Sequence, residues 1–236
     1  MKRHAPTRSC TRLCLLLLLS LSLSNWPPHA SAEEPSKAAD VAWHSLFDGT
    51  KLGRWQVLSV EDFEDGGKVH VEDGKLVLKK GMRATGIRLD GKFPNSNYEI
   101  TLQGMRVEGS DFFCGLSFPV GKGSLTLILG GWGGWVCGLS CIDDRYAINN
   151  DTACGIEFKN NRWYKFRLRV TDKEVQVWVD DKQIIDLDTD GYKLSVSEEM
   201  KPCLPLGIAT WKTTGAVRTI RYRQLQKKPK REAESD

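Results

Sequence analysis

The sequence predicts an all-β chain of antiparallel strands arranged as a sandwich or barrel. Three observations carry this. From Trp55 onward apolar residues alternate with polar ones at a period of two. Turn dipeptides such as Asp73-Gly74 and Asp180-Asp181 fall between the alternating runs. No window of a dozen residues carries a 3.6-residue apolar stripe, so the crossover helices of a parallel sheet have no place to form.

The elements follow in order. "KVHVEDGKLVL" puts Val69 and Val71 on one face, turns at Asp73-Gly74, and continues with Leu76 and Leu78. "YEITLQGMRV" alternates Tyr98, Ile100 and Leu102 with Glu99, Thr101 and Gln103. "SLTLIL" does the same through Leu125, Leu127 and Leu129. "WYKFRLRV" sends Tyr164, Phe166, Leu168 and Val170 inward and Lys165, Arg167 and Arg169 to a solvated convex surface. "EVQVWV" and "KQIIDL" pair around Asp180-Asp181, and "LGIATW" and "VRTIRYRQL" close the series. "SVSEEMK" has room for one helical turn at most.

The ends differ from this middle. Lys2, Arg3, Arg8 and Arg12 precede an apolar run over residues 13–23, and Ala30-Ser31-Ala32 offers a small-residue cleavage site. Residues 1–32 are therefore expected to be a signal peptide and the protein to be exported, periplasmic or extracellular. No later segment is apolar for long enough to span a bilayer as a helix, so an integral membrane protein is not expected. Residues 33–42 read as a short linker, 43–225 as the β-sandwich domain, and 226–236 as a charged, disordered tail.

The first 32 residues hold four of the 34 Lys and Arg and none of the 30 Asp and Glu, so the remainder is balanced at 30 against 30. A nucleic-acid partner, which needs a basic excess, is not expected. Five cysteines lie beyond the leader: Cys114, Cys137, Cys141, Cys154 and Cys203. Export permits disulfides, the odd count leaves at least one thiol unpaired, and sequence does not give the pairing. Cys137 and Cys141 on one extended strand would stand roughly 13 Å apart, too far to bridge each other.

The opening "WHSLFDGTKLGRWQV" with "VEDGKLVL", and the closing "RWYKFRLRVTDKEVQVWVDDKQIIDLD" with "LGIATWKTTGAVRTIRYR", resemble the 3-keto-disaccharide hydrolase domain family over residues 43–224. The resemblance implies a concanavalin-A-like jelly roll of two curved antiparallel sheets, with a concave face that holds a sugar. It also implies hydrolysis of 3-keto-glycosides or 3-keto-disaccharides without a cofactor. The chain departs from the family where typical members carry an "N-S-G-v-f-l-R" strand and an "E-v-Q-i-x-D" strand. Here Gly115 stands for the glycine, Cys114 replaces the serine, no arginine follows in that strand, and "LTLIL" has no carboxylate. The motif therefore transfers no catalytic residue, and a non-catalytic carbohydrate-binding module of the cell envelope is the alternative. A structural or protein-interaction sandwich is a third reading.

Candidate sites come from the residues themselves. In "GGWGGWVCGLSCIDD", a phosphate loop fails because Val136 stands where a third glycine belongs and no helix follows. A metal site is not expected from Cys137-x3-Cys141, with His44 and His70 distant in sequence. Two compatible readings remain. The glycines mark a bulge over which the tryptophans pack, or they lower the sheet so that Trp132 or Trp135 stacks on a pyranose ring. Asn149 and Asn150 would then bond sugar hydroxyls, and Trp211 is a second stacking candidate if Ile208 packs inward. A 3-keto sugar carries an acidified C2 proton, so one general base beside a cationic stabiliser suffices for elimination, with water added afterwards. Asp111, Asp143, Asp144 and Glu157 are the candidate bases; Arg145 and Lys212 are the candidate stabilisers.

Overall fold

A computed structural model describes residues 41–59 and 61–226, all within one compact unit. The expected leader, most of the linker and the tail from residue 227 lie outside the described residues. Among the described residues fifteen strands form in chain order: β1 (His44–Ser45), β2 (Trp55–Val57), β3 (Val69–Glu72), β4 (Lys75–Leu78), β5 (Ala84–Leu89), β6 (Tyr98–Glu108), β7 (Cys114–Val120), β8 (Gly123–Gly131), β9 (Val136–Ser140), β10 (Cys154–Gly155), β11 (Tyr164–Val170), β12 (Glu174–Val179), β13 (Lys182–Asp188), β14 (Gly207–Trp211) and β15 (Thr214–Gln224). The helices among the described residues are two 3₁₀ turns, Ala147–Asn149 and Glu198–Cys203. No described helix is long and apolar enough to cross a membrane.

Two antiparallel sheets face each other. The first runs β13-β12-β11-β6-β15-β4-β3, with β1 added to β15, and the second runs β10-β9-β8-β7-β14-β5-β2. The expected turns have the expected backbone. Asp73 and Gly74 both take positive φ (43° and 74°), as do Asp180 and Asp181 (46° and 66°), the geometry that matches the twist of tight hairpins. Pro119 is tolerated in β7 because the pairing of β7 with β14 ends at Ser117. The core fills the space between the sheets with Ile100, Leu102, Phe166 and Leu168 from one side and Leu116, Leu125, Leu127 and Leu139 from the other. Across that core the buried Tyr98 hydroxyl donates to the Pro119 carbonyl at 2.6 Å, tying β6 to β7.

The cationic row on the outside of the first sheet is organised by an anion that alternation alone does not single out. Glu99, 2 % exposed, faces Arg167 at 3.6 Å and Arg169 at 4.0 Å, and accepts from Arg223 Nε at 2.6 Å. The Arg167 guanidinium lies 3.6 Å over the Trp178 ring, which keeps the charge on a polarisable plate.

The second sheet carries the feature that positions the site. Registers align Ile87, Ile208, Leu116, Leu127 and Leu139 across five strands, all in the core. Since neighbours along a strand point to opposite faces, the adjoining row points outward. That row is Gly86, Ala209, Gly115, Ile128 and Gly138. Four of its five members have at most one side-chain carbon, so a furrow crosses the sheet. Other side chains sit in it. A Cβ on Gly86 would stand 2.6 Å from the Phe63 ring, on Gly115 2.9 Å from the Phe112 ring, and on Gly138 3.0 Å from the Ala147 Cβ.

A small second core therefore forms outside the sheet from Leu58, Phe63, Ala84, Met200, Cys203 and Ala209, with Phe112, Val196 and Trp211 against it. Gly207 lies under the 3₁₀ turn Glu198–Cys203, where a Cβ would come within 2.6 Å of the Cys203 side chain and closer still to its backbone. Gly207→Ala is expected to lower unfolding free energy by about 1–3 kcal/mol through this overpacking. Urea denaturation followed by circular dichroism measures it, and an unchanged midpoint would show that the turn is not seated on the sheet.

Candidate functional site

The furrow is not filled along its whole length. Between its coverings a groove of about 290 Å³ remains, lined by Asp111, Phe112, Ile128, Trp132, Ser140, Tyr146, Ser197, Glu199, Met200 and Trp211. Ile128 belongs to the outward row and gives the groove an apolar floor. Its walls come from four connections: the β8–β9 turn, the chain after β9, the 3₁₀ turn before β14, and the β6–β7 turn.

The glycine-rich stretch makes the first wall. Register shifts between Leu129 and Gly131, a β-bulge with Gly130 at φ +77°. Trp132, Gly133 and Gly134 follow with positive φ (47°, 89° and 96°), turning the chain into β9. Trp132 is 37 % exposed and meets Tyr146 edge-on with ring centroids 6.4 Å apart. Trp135 is 55 % exposed but is not among the groove's lining residues; its ring lies over Gly155, where a Cβ would approach within 2.9 Å. The bulge reading describes the backbone, and of these two indoles only Trp132 reaches the groove.

On the opposite strand, Ile208 is buried in the main core and Trp211 points outward into the groove. Phe112 stacks against the Trp211 ring at 6.3 Å with the planes inclined by 30°, and the Arg83 guanidinium sits 5.8 Å over it.

Asp111 sits where three connections meet. Its backbone N–H donates to Thr213 Oγ1 at 3.0 Å, in the β14–β15 turn. Gly109 allows that approach, since a Cβ there would lie 2.7 Å from the same oxygen. Asp111 Oδ1 accepts from the Phe112 N–H at 2.7 Å, and the Trp132 N–H also donates to the carboxylate. Burial raises the Asp111 pKa above the ordinary carboxylate value; the two N–H donors and the Lys212 charge pull the other way without winning. Lys212, whose charge reaches Asp111, is exposed and held at φ +47° by the β14–β15 turn.

The remaining candidates lie elsewhere. Asp143 Oδ1 accepts from the Lys193 N–H at 2.9 Å, Asp144 pairs with Lys193 Nζ at 2.8 Å, and Arg145 approaches Asp143 at 3.9 Å. Asp143 and Asp144 thus fasten the strand end to the segment that leads into the 3₁₀ turn Glu198–Cys203, and none of the three lines the groove. Asn149 is exposed beyond Tyr146. Asn150 is buried and spends its amide within the loop: Nδ2 donates to the Leu139 carbonyl at 2.8 Å and the Tyr146 carbonyl at 3.0 Å, while Oδ1 accepts from Thr152 Oγ1 at 2.7 Å. Glu157 opens on a separate depression beside Arg162 and Lys182.

The groove also contains residues that alternation did not mark: Phe112, Tyr146, Glu199 and Met200. The Glu199 charge raises the Tyr146 hydroxyl pKa, which places a second carboxylate near the mouth of the groove. "SEEM" showed only one turn's worth of helix, and nothing local says that the turn lies across a sheet.

Behind the first wall stands Arg106, buried among oxygen acceptors. Nη1 donates to the Gly134 carbonyl at 3.0 Å, Nε to Asn160 Oδ1 at 2.7 Å, and Nη2 to the Phe158 carbonyl. The planar fork thus ties the indole-bearing turn to the chain before β11. Arg106→Met leaves buried acceptors unsatisfied and is expected to cost at least about 1–3 kcal/mol. Urea melts measure the loss, and a variant as stable as wild type would remove Arg106 as the anchor of the turn.

Solved structures share this architecture. A Bacillus subtilis protein of unknown function with a galectin-like fold superposes at TM-score 0.54 and 14 % identity, covering 78 % of this chain and 94 % of that one. The Crh5 transglycosylase gives TM-score 0.53 at 12 % identity over 80 % of this chain and 86 % of its own. SCLam, a non-specific endo-β-1,3(4)-glucanase of family GH16, gives 0.53 at 11 % identity over 80 % and 96 %. At such identities the likeness establishes the fold, a concanavalin-A-like jelly-roll sandwich. Among curated proteins no sequence matches. The family of 3-keto-α-glucoside-1,2-lyase-like domains matches residues 42–228, nearly the whole of the folded chain, and the protein belongs to this 3-keto-disaccharide hydrolase domain family.

Proposed function

We propose that the protein is an exported carbohydrate-active domain that cleaves 3-keto-glycosides in the groove between Trp132 and Trp211. One observation carries this reading: a half-buried carboxylate of raised pKa, Asp111, stands in a groove lined by Trp132, Tyr146, Phe112 and Trp211. Pyranose rings present apolar C–H faces that such rings cover, while hydroxyls at the ring edge meet Ser140, Ser197 and Glu199. Two proteins of the same fold hold sugars in their crystals, SCLam a cellobiosyl glucoside and Crh5 NAG. Export is supported by the basic, apolar and small-residue series in residues 1–32.

The chemistry needs little machinery. The C3 carbonyl acidifies the proton on C2, and the Asp111 carboxylate removes it. The electron pair forms the C1–C2 double bond as the C1–oxygen bond breaks, and the proton held by Asp111 leaves with the departing oxygen. Negative charge gathers on the C3 oxygen during this step, and we assign Lys212, whose charge reaches Asp111, to oppose it. Water adding across the double bond completes a net hydrolysis. A raised pKa suits the base, because a more basic carboxylate takes a carbon-bound proton with more driving force.

A non-catalytic sugar-binding module is the second reading, favoured by the run "LTLIL", which has no carboxylate where family members carry a Glu and an Asp. Incubation with 3-keto-trehalose, with chromatography of the freed keto sugar, separates the two. Turnover is expected, reduced about 10²–10⁴-fold in Asp111→Asn. Saturable binding without turnover in the wild type would select the module.

The pH profile is a further check. Asp111 works ionised, so activity is present above its folded-state pKa and falls as pH drops through it. Since that pKa is raised, the acid limb of kcat/KM is expected above the usual aspartate range, and Asp111→Asn should abolish the limb. Trp211→Ala is expected to weaken sugar binding about tenfold, the loss of one ring contact. Isothermal titration measures this, and unchanged affinity would move the ligand out of the groove.

A further inference from the structure

Cys137 and Cys154 stand directly opposite each other on the antiparallel pair β9–β10. Two residues along the same ladder, the Ile156 N–H donates to the Trp135 carbonyl at 2.8 Å, so Cys137 and Cys154 occupy a hydrogen-bonded pair site. At such sites the Cα atoms lie about 5.5 Å apart, inside the 4.4–6.8 Å range of disulfides. Directly opposed side chains leave the sheet on the same face, and the two thiols are already hydrogen-bonded to each other. Of the other three cysteines, Cys114 lies two strands from Cys137, across Leu129, at about 10 Å. Cys141 sits four residues from Cys137 along the same stretch of chain.

We propose that Cys137 and Cys154 form a cross-strand disulfide on meeting a disulfide-exchanging oxidant, and that the bond fixes the groove wall between them. The bridge closes the loop over residues 138–153, which carries Ser140 and Tyr146 of the groove. It also clamps the strand on whose Gly155 the Trp135 ring rests.

The order of events follows from access. Cys154 is the partly exposed member and opens on the depression lined by Glu157, Arg162 and Lys182, whereas Cys137 is fully buried. The Cys137 thiol donating to its sulfur, with Lys182 nearby, lowers the Cys154 pKa to about 7, while burial pushes Cys114 and Cys203 up to about 12. Cys154 as thiolate attacks one sulfur of an acceptor disulfide and releases the acceptor's first thiol. Cys137 then gives up its proton, attacks the Cys154 sulfur and releases the second. Two protein thiols are oxidised and one acceptor disulfide is reduced to two thiols.

The test treats the folded full chain with oxidised glutathione, alkylates remaining thiols in denaturant and maps tryptic peptides. Cleavage after Arg145 separates residues 123–145 from 146–159, so a Cys137–Cys154 bond appears as a linked pair of peptides. Fragmentation distinguishes Cys137 from Cys141 on the first of them. The expected result is that pair linked, with Cys114, Cys141 and Cys203 alkylated. Recovery of Cys137 and Cys154 both alkylated, or of Cys154 joined to another cysteine, overturns the proposal. Cys137→Ala should trap Cys154 as its glutathione adduct; no adduct would deny Cys154 its role as the attacking thiol.

Discussion

Gly86, Ala209, Gly115 and Gly138 lie in one cross-strand row on the outside of the second sheet, and the groove-bearing surface depends on their small size. Large side chains in that row would hold any covering chain a full layer away. With almost nothing there, Phe63, Phe112 and Ala147 settle onto the backbone, and a second apolar cluster forms where a sandwich normally meets solvent. Close packing makes this discriminating, because a covering ring held off by about an ångström forfeits roughly a quarter to a half of its dispersion energy. The groove is what remains open between those coverings, with Ile128 as its floor.

That arrangement explains the state of Asp111. A carboxylate on a free loop would be solvated; here the β6–β7 turn, the glycine-rich turn and the β14–β15 turn converge on it. Its hydrogen bonds from the Phe112 and Trp132 N–H groups fix its orientation, and burial against aromatic rings sets its basicity. The indoles are held just as indirectly. Trp132 depends on a turn anchored by Arg106, and Trp211 on stacking with Phe112.

The strands that alternate visibly were legible because one of their faces is wet: β6, β11 and β12 bury every second residue and, Glu99 apart, leave the others at least partly open. β5, β7 and β9 are buried on both faces, so "ATGIRL", "CGLSFPV" and "VCGLS" lose the period that would reveal them. The candidate site divides along the same line. Trp132 and Trp211 were accessible to reasoning about indoles, glycines and strand parity, and Asp111 only as one of four candidate bases. Tyr146, Glu199 and Met200 reach the groove only because the chain before β14 crosses the sheet, a tertiary fact with no local signal. Asn150 illustrates the converse: an amide in a polar loop looks available until Leu139, Tyr146 and Thr152 are seen to consume it.

The central claim is that the uncovered part of the glycine furrow is where a sugar lies. A crystal structure of the protein with a slowly cleaved 3-keto-glucoside, or with Asp111→Asn and 3-keto-trehalose, tests it most directly. Density for a pyranose ring on Ile128, between Trp132 and Trp211 and with C2 toward residue 111, is the predicted result. A sugar seated on the arginine-rich outside of the first sheet, or an empty groove at saturating ligand, would contradict it.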